Sequence, residues 1–373
     1  MTLQQEAARM PAAPENNEER YLNAVVKSRL LSGFPSGPFV QKLEECFCRY
    51  TGAEYAVAVN SGSAAIQSAL VAAGVQPGDL VAVTTHTFVG TVNAIVLAGA
   101  KPHFLDIDKR TLQPSVSSLE RALERGAKYY VPVHLYGMPA TMHPGFPRER
   151  VIEDAAQGLG CFDGARHVGT LGAAGAFSLS PSKVVSAGEG GMVITNDAEI
   201  ARKVRLIRNH GLLAWNDHHV QGFNFRLSEF NAAYGVAQFE QLEYFLEQRR
   251  AIADAYRAFF AETDFSRPIP EATARCSWVK FPVMIPPGFR LPPDELARQL
   301  RDRGVPFEMS YCGVHSFALF QQTVDEMDRS CPVADQCLPR VINFHTGPRL
   351  QAEQAASLVN ELSGLLAPAS DRS

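Results

Sequence analysis

Between Val151 and Asp197 the chain reads VIEDAAQGLGCFDGARHVGTLGAAGAFSLSPSKVVSAGEGGMVITND. Three short β-rich runs stand in it: VIEDAA (Val151–Ala156), AFSLS (Ala176–Ser180) and MVITND (Met192–Asp197). Their apolar character is continuous rather than alternating, which suits strands buried on both faces of a sheet. Upstream, YAVAV (Tyr55–Val59), LVAVTT (Leu80–Thr85), HFLDID (His103–Asp108) and YYVPVHLY (Tyr129–Tyr136) read the same way. SAAIQSALVAAG and VNAIVLAGA lie between them with helical spacing. Strands alternating with helices predict an α/β fold, a mostly parallel central sheet between helices.

Working outward, the link between Tyr136 and Val151 holds three prolines and two glycines in GMPATMHPGFPRER. A parallel crossover usually takes about 10–12 residues including its helix, so this tight link is expected to lack a full helix. Beyond Asp197 the pattern turns helical, and after about Asp264 short strand-like runs (SWVKFPVMI, VPFEMSY, VINFH) mix with helices, a smaller α+β unit. The expected organisation is residues 1–50 as an N-terminal segment packing with the small unit, 51–245 as the large unit and 246–373 as the small one. A chain of 373 residues is long for one domain and sufficient for two.

Composition narrows the partners. Apolar residues make up 46 %, charged ones 20 %, and the net charge is −4 with no Lys/Arg block, which points away from nucleic acid and anionic membranes. The seven cysteines are scattered without C-x-x-C pairs, as expected of thiols in a reducing compartment. The first twenty residues are polar, and no apolar run approaches the ~20 residues of a membrane span, so a cytoplasmic protein is expected. His210, His218 and His219 have no cysteine or acid pair at ligand spacing, so no metal is expected.

The stretch from Glu153 to Gly191 is densest in chemistry: an acid ending a buried strand (Asp154), a Ser/Lys pair (Ser178, Lys183) and a glycine-rich turn (Gly188–Gly191). Alone, Asp154 reads as a helix cap and Lys183 as a surface lysine. Together they suit a cofactor that needs an amine, a carboxylate and a phosphate cradle, beyond the carboxyl ends of the strands. NSGSAAI (Asn60–Ile66) follows a strand and opens a helix, where free N–H groups favour phosphate, although Ser-Gly-Ser is also an ordinary helix cap.

These segments, EDAAQ (Glu153–Gln157), FSLSPSK (Phe177–Lys183), GEGGMVITND (Gly188–Asp197) and RNHG (Arg208–Gly211), resemble the DegT/DnrJ/EryC1/StrS family of sugar aminotransferases. NSGSAAI, THTFVGTVNAI (Thr85–Ile95), HLYG (His134–Gly137) and GFNFRLSEFNAA (Gly222–Ala233) follow in the family's order. The resemblance implies a fold-type-I pyridoxal 5'-phosphate (PLP) enzyme, a homodimer with active sites at the subunit interface. It implies that Lys183 carries the cofactor as a Schiff base and that Asp154 pairs with the ring nitrogen. Gln157 would approach the ring's 3′-oxygen, Phe88 would stack on the ring, and phosphate contacts would come from Ser178, the backbone of Ser63 and Ala64, and Asn224 of the partner subunit. The implied reaction moves an amino group from glutamate or glutamine to a keto sugar, nucleotide-linked, or else to a keto-cyclitol.

Departures from the family bear on the acceptor. Thr84 stands where proline is typical and His86 where a bulky apolar residue or serine is more usual. RSCPVADQC (Arg329–Cys337) is similar to cyclitol and aminobenzoate branches. His315 and His345 in the smaller unit are candidates to face the substrate. A nicotinamide oxidoreductase is set aside because GTLGAAG (Gly169–Gly175) lacks the G-x-G-x-x-G spacing and precedes a strand. A dehydratase of the same fold would replace the lysine by histidine. A non-catalytic relative that binds PLP or a sugar as regulator or complex partner is the remaining rival.

Overall fold

The computed structural model describes residues 15–32, 36–268, 274–347 and positions 350, 358, 362, 365 and 366. Two helices open it, α1 (Glu18–Ser28) and α2 (Pro38–Thr51). The large unit then alternates β1 (Tyr55–Val59), α3 (Gly62–Ala72), β2 (Leu80–Thr84), α4 (Val89–Leu97), β3 (Lys101–Leu105), α5 (Val116–Glu124), β4 (Tyr129–Val131) and β5 (Ile152–Asp154). It continues through β6 (Ala174–Ser178), β7 (Gly191–Thr195), α6 (Ala198–Ile207) and α7 (Glu229–Phe239) to α8 (Leu242–Ala261). The small unit holds β8 (Lys280–Met284), α9 (Pro293–Asp302), β9 (Phe307–Met309) and β10 (Val341–His345).

Ladders order the large sheet β1-β7-β6-β5 and β4-β2-β3, and parallel bridges Tyr130↔Val151 and Val133↔Asp154 join the two parts. The sheet is parallel except for β7, which runs antiparallel to both β1 and β6. Apolar runs buried on both faces are what the helices on either side cover: Val57 and Val59 face one core cluster, Ala56 and Ala58 the other. The seven runs read from sequence all carry strands, but β4 stops at Val131, short of the expected Tyr136. The link to β5 contains only two 3₁₀ turns, Leu135–Gly137 and Arg148–Arg150, in place of a full helix.

The N-terminal segment departs from its expected packing. Both carboxylate oxygens of buried Glu229, on α7, accept the first N–H groups of α2, from Phe39 (2.9 Å) and Val40 (3.0 Å). Gln238 on α7 donates to Glu18 on α1, and Glu240 accepts from Asn17 and Tyr21. The orphan helix-start donors of α2 find their acceptor on α7, and side-chain bonds tie α1 to the same helix and its end, so α1 and α2 sit on the large unit rather than the small one. The expected boundary at 245 falls within α8. Leu242 and Leu246 pack in the large unit, while Ile252, Tyr256 and Phe260 pack under the small sheet.

Candidate active site

A cavity of about 370 Å³ opens where β5 and β6 end and α3 and α4 begin, within the usual size of small-molecule sites. Its walls include Ser63, Phe88, Asp154, Gln157, Ser178 and Lys183, residues far apart in sequence.

Asp154 ends β5, fully buried at the cavity floor. Its Oδ2 accepts from Thr91 Oγ1 (2.7 Å) and its Oδ1 from the Ala156 N–H (3.0 Å). A carboxylate only accepts, so the Thr91 proton must point at Asp154, and Thr87 Oγ1 (2.8 Å) donates to Thr91 in turn. Burial still pushes the Asp154 carboxyl above its ordinary range, against these donors and the charge of Lys183. No cation among the described residues reaches ion-pair distance of it.

The neighbour that holds Asp154 in place is Glu153. Wholly buried, it accepts the N–H groups of Gly169 (2.6 Å), Leu171 (2.7 Å) and Gly172 (2.7 Å). His134 Nε2 lies 2.8 Å from it, and His134 Nδ1 accepts the Ala140 N–H (3.0 Å). An accepting Nδ1 leaves the ring proton on Nε2, so His134 donates to Glu153 and ties the tight 137–150 link to β5.

Lys183 stands in the turn after β6, its N–H bonded to the Ser180 carbonyl (3.1 Å). Burial pushes its ammonium below the usual lysine range; Asp154 opposes the shift and Lys280 adds to it. A lysine of this kind deprotonates to a nucleophile more easily than a solvated one.

At the far wall α3 starts against β6. A Cβ on Gly62 would meet Ser178 Cβ at 2.8 Å, and one on Gly191 would meet the Ser61 carbonyl oxygen at 2.2 Å, so these glycines permit the close approach. Ser61 Oγ caps the helix by accepting the Ala64 N–H (3.1 Å). That engages Ala64, and the first-turn N–H groups free to meet an anion are those of Gly62 and Ser63, a shift of one residue from the sequence reading.

Phe88, at the start of α4, is 55 % exposed, with Tyr311 of the small unit 5.9 Å away, ring to ring. Gln157 Oε1 accepts the Tyr136 N–H (2.7 Å), which turns its NH₂ toward the cavity. Tyr136 takes a left-handed backbone (φ 62°) to do this. Its hydroxyl lies 3.0 Å from His86 Nε2 and 3.0 Å from Ser310 Oγ. His86, pushed down to about 4 by burial, is thus a neutral structural group beneath the site. Asn224 is exposed and does not line its own chain's cavity; its carbonyl accepts from Asn60 Nδ2 (3.1 Å).

His315 is held between Thr85 Oγ1 (2.5 Å) and Asp335 (3.1 Å) and is not in the cavity wall. His219 pairs with Asp217 (2.9 Å) and His218 bonds the His210 carbonyl. No group of three His, Cys, Asp or Glu able to hold a metal ion occurs among the described residues. No helix among them is long and apolar enough to cross a membrane.

Sequence reasoning missed Thr91, Glu153's clamp, Tyr136 and Tyr311. Thr91 had only a faint signal, a second threonine four residues after Thr87, which itself lies in the turn before α4. Tyr311 had none, because another unit delivers it.

The site residues fit a flat cationic ring with a phosphate: a buried carboxylate lacking a counter-ion, a narrow cradle at a helix start and a poised amine. Comparison with known proteins agrees. The family model for the DegT/DnrJ/EryC1/StrS aminotransferase family matches residues 14–363. The UDP-N-acetyl-3-dehydro-alpha-D-glucosamine 3-aminotransferase of Acidithiobacillus ferrooxidans is 36 % identical over 316 residues, 83 % of each chain. The pleiotropic regulatory protein of Geobacillus stearothermophilus is 36 % identical over 354 residues, 92 % of this chain and 93 % of that one. Among solved structures, a DegT DnrJ EryC1 StrS aminotransferase from Brucella abortus superposes with a TM-score of 0.84 at 26 % identity, covering 95 % of this chain and 96 % of that one.

Proposed function

This chain belongs to the DegT/DnrJ/EryC1/StrS aminotransferase family, and on that premise we propose that it passes an amino group from glutamate or glutamine to the carbonyl of a nucleotide-linked keto sugar. It is a PLP-dependent sugar aminotransferase; the donor, the nucleotide, the homodimer and the residue roles are our reading. One observation carries it: Lys183, Asp154 and the α3–Ser178 cradle line a single cavity.

When bound, PLP supplies an electron sink for the carbanion formed as a proton leaves the substrate carbon. The chain's own residues do the rest. Lys183 would hold the cofactor through Nζ and, once displaced, move the proton at the substrate carbon as base and acid. Asp154, steered by Thr91, would keep the ring nitrogen protonated, an ion pair that offsets the carboxylate's burial. Ser178 with the Gly62 and Ser63 N–H groups would take the phosphate, and Gln157 would offer its NH₂ to the ring oxygen. Phe88 would cover one ring face.

The homodimer reading is supported by exposed apolar side chains clustered just before Asn224: Leu213 (53 %), Trp215 (89 %), Val220 (37 %) and Phe223 (51 %). Asn224, exposed at the end of that segment, would be the residue to reach a partner's cradle in this reading. Burial pushes the Lys183 ammonium below its usual range in the same cavity as the buried Asp154, as an amine nucleophile needs, and this favours the enzyme reading over a non-catalytic regulator.

The test is reduction of the purified, PLP-loaded protein with borohydride followed by peptide mapping. Cofactor mass on Lys183 is expected, and label elsewhere or nowhere sinks the assignment. Bleaching of the visible band by glutamate or glutamine separates enzyme from regulator. Keto-sugar nucleotides and free keto-cyclitols offered to the aminated protein then decide the acceptor.

A further inference from the structure

The small sheet turns a charged face toward the large unit. Side chains alternate along its strands: Phe281, Phe307, Ile342 and Phe344 pack on α8, whereas Met284 and Val341 on the other face join the large unit's core. By the same period of two, Lys280, Glu308, Asn343 and His345 lie on that second face. The register sets Lys280 opposite His345 and Glu308 opposite Asn343.

A sheet face turned inward is ordinarily apolar, and this one becomes polar only at one end. Lys280 Nζ lies 3.4 Å from Glu308 Oε2, and His345 Nε2 lies 4.0 Å from the same oxygen. Among the described residues, His345 Nε2 and Asn343 Oδ1 are buried without a hydrogen-bond partner. The charges of Lys280 and Glu308 both bear on Lys183, and β9 leads directly into Tyr311 in the cavity wall. Among the described residues that wall holds one lysine or arginine, Lys183 itself, which the cofactor occupies in the reading above. An amino acid donor brings a carboxylate that cannot be buried there without a counter-charge.

We propose that Lys280 is the anchor for the amino donor's carboxylate, with Glu308 its resident competitor and His345 and Asn343 the neutral rim of the same subsite. The proposal rests on Lys183 carrying the cofactor. Glu308 occupies Lys280 in the empty site and yields it to the incoming carboxylate, so removing either member of the pair has opposite consequences for the donor. A merely structural ion pair would make the two removals alike.

The experiment uses the PLP-loaded protein and two unreactive probes, glutarate for the donor's carboxylates and UDP for the acceptor's phosphates, titrated by calorimetry. Lys280→Met should weaken glutarate about tenfold, the scale of one hydrogen bond to a charged group, and leave UDP unchanged. Lys280→Arg should restore most of it, and Glu308→Gln should tighten glutarate several-fold. The proposal is overturned if the wild type does not bind glutarate, if Lys280→Met leaves glutarate unchanged or weakens UDP instead, or if Glu308→Gln weakens glutarate as well. Borohydride labelling of Lys183 is run on each variant. Its absence from the wild type would bring down the cofactor reading itself, whereas label present with unchanged glutarate binding counts against Lys280 alone.

Discussion

Replacing Thr91 by valine keeps the shape of the side chain and deletes the donor aimed at Asp154 Oδ2 from 2.7 Å. Hydrogen bonds to charged groups contribute about 1.5–3 kcal/mol, and one pKa unit is about 1.4 kcal/mol, so the already raised Asp154 carboxyl should climb by about one to two further units. Binding a cation against Asp154 requires the ionised form. Wherever the variant's carboxyl holds its proton, PLP affinity should fall by about ten- to a hundredfold. The sign follows from the direction of the shift: the loss is greatest at mildly acidic pH and shrinks as rising pH ionises the carboxyl. Thr87→Val removes only the donor behind Thr91 and should cost about threefold, since a neutral hydrogen bond contributes about half to one and a half kcal/mol. The assay is reconstitution of cofactor-free protein with PLP, followed by visible absorbance across that pH range. Wild-type affinity in Thr91→Val at every pH, or a loss that grows with pH, would refute the reasoning.

Three further outcomes follow from the packing. Gly62→Ala puts a methyl 2.8 Å from Ser178 Cβ, so PLP and inorganic phosphate should bind at least about tenfold more weakly while circular dichroism stays native; unchanged phosphate binding would remove the cradle from α3. Glu153→Gln replaces an anion that accepts three backbone N–H groups and His134, and should lower unfolding free energy in urea by about 3 kcal/mol; a change under about 1 kcal/mol would show the clamp to be slack. Burial pushes both His86 and His167 down to about 4, below the roughly 6.5 of an unfolded histidine. Their contribution is therefore complete above about 6.5 and is lost as pH falls toward 4, up to roughly 3 kcal/mol each; urea midpoints flat across that window would contradict it.

Much of the fold was legible because its signals are local. Continuous apolar runs such as YAVAV and LVAVT mark strands covered on both sides, and Ser61, Asp197 and Ser228 cap the helices that follow them. The direction of β7 was not legible. Its GMVIT reads like its parallel neighbours, and only pairing with β1 and β6 makes it antiparallel. The placement of α1 and α2 failed for a related reason: Glu229, which caps α2, lies 190 residues away from Phe39. A helix cap supplied from such a distance leaves no local pattern.

By itself the sequence determined the layered sheet and the order of Asp154, Ser178 and Lys183, because hydrophobic period, turn chemistry and motif spacing are properties of neighbouring residues. Only the tertiary structure decided their company, and with it the direction in which burial moves the Asp154 and Lys183 proton affinities. Whether Lys183 is a spent surface charge or a poised amine depends on burial and on the charges of Asp154, Lys280 and Glu308, which act on it from three other segments. Electrostatic energy depends on distance through space and on exclusion of water, and neither quantity is written in the order of residues.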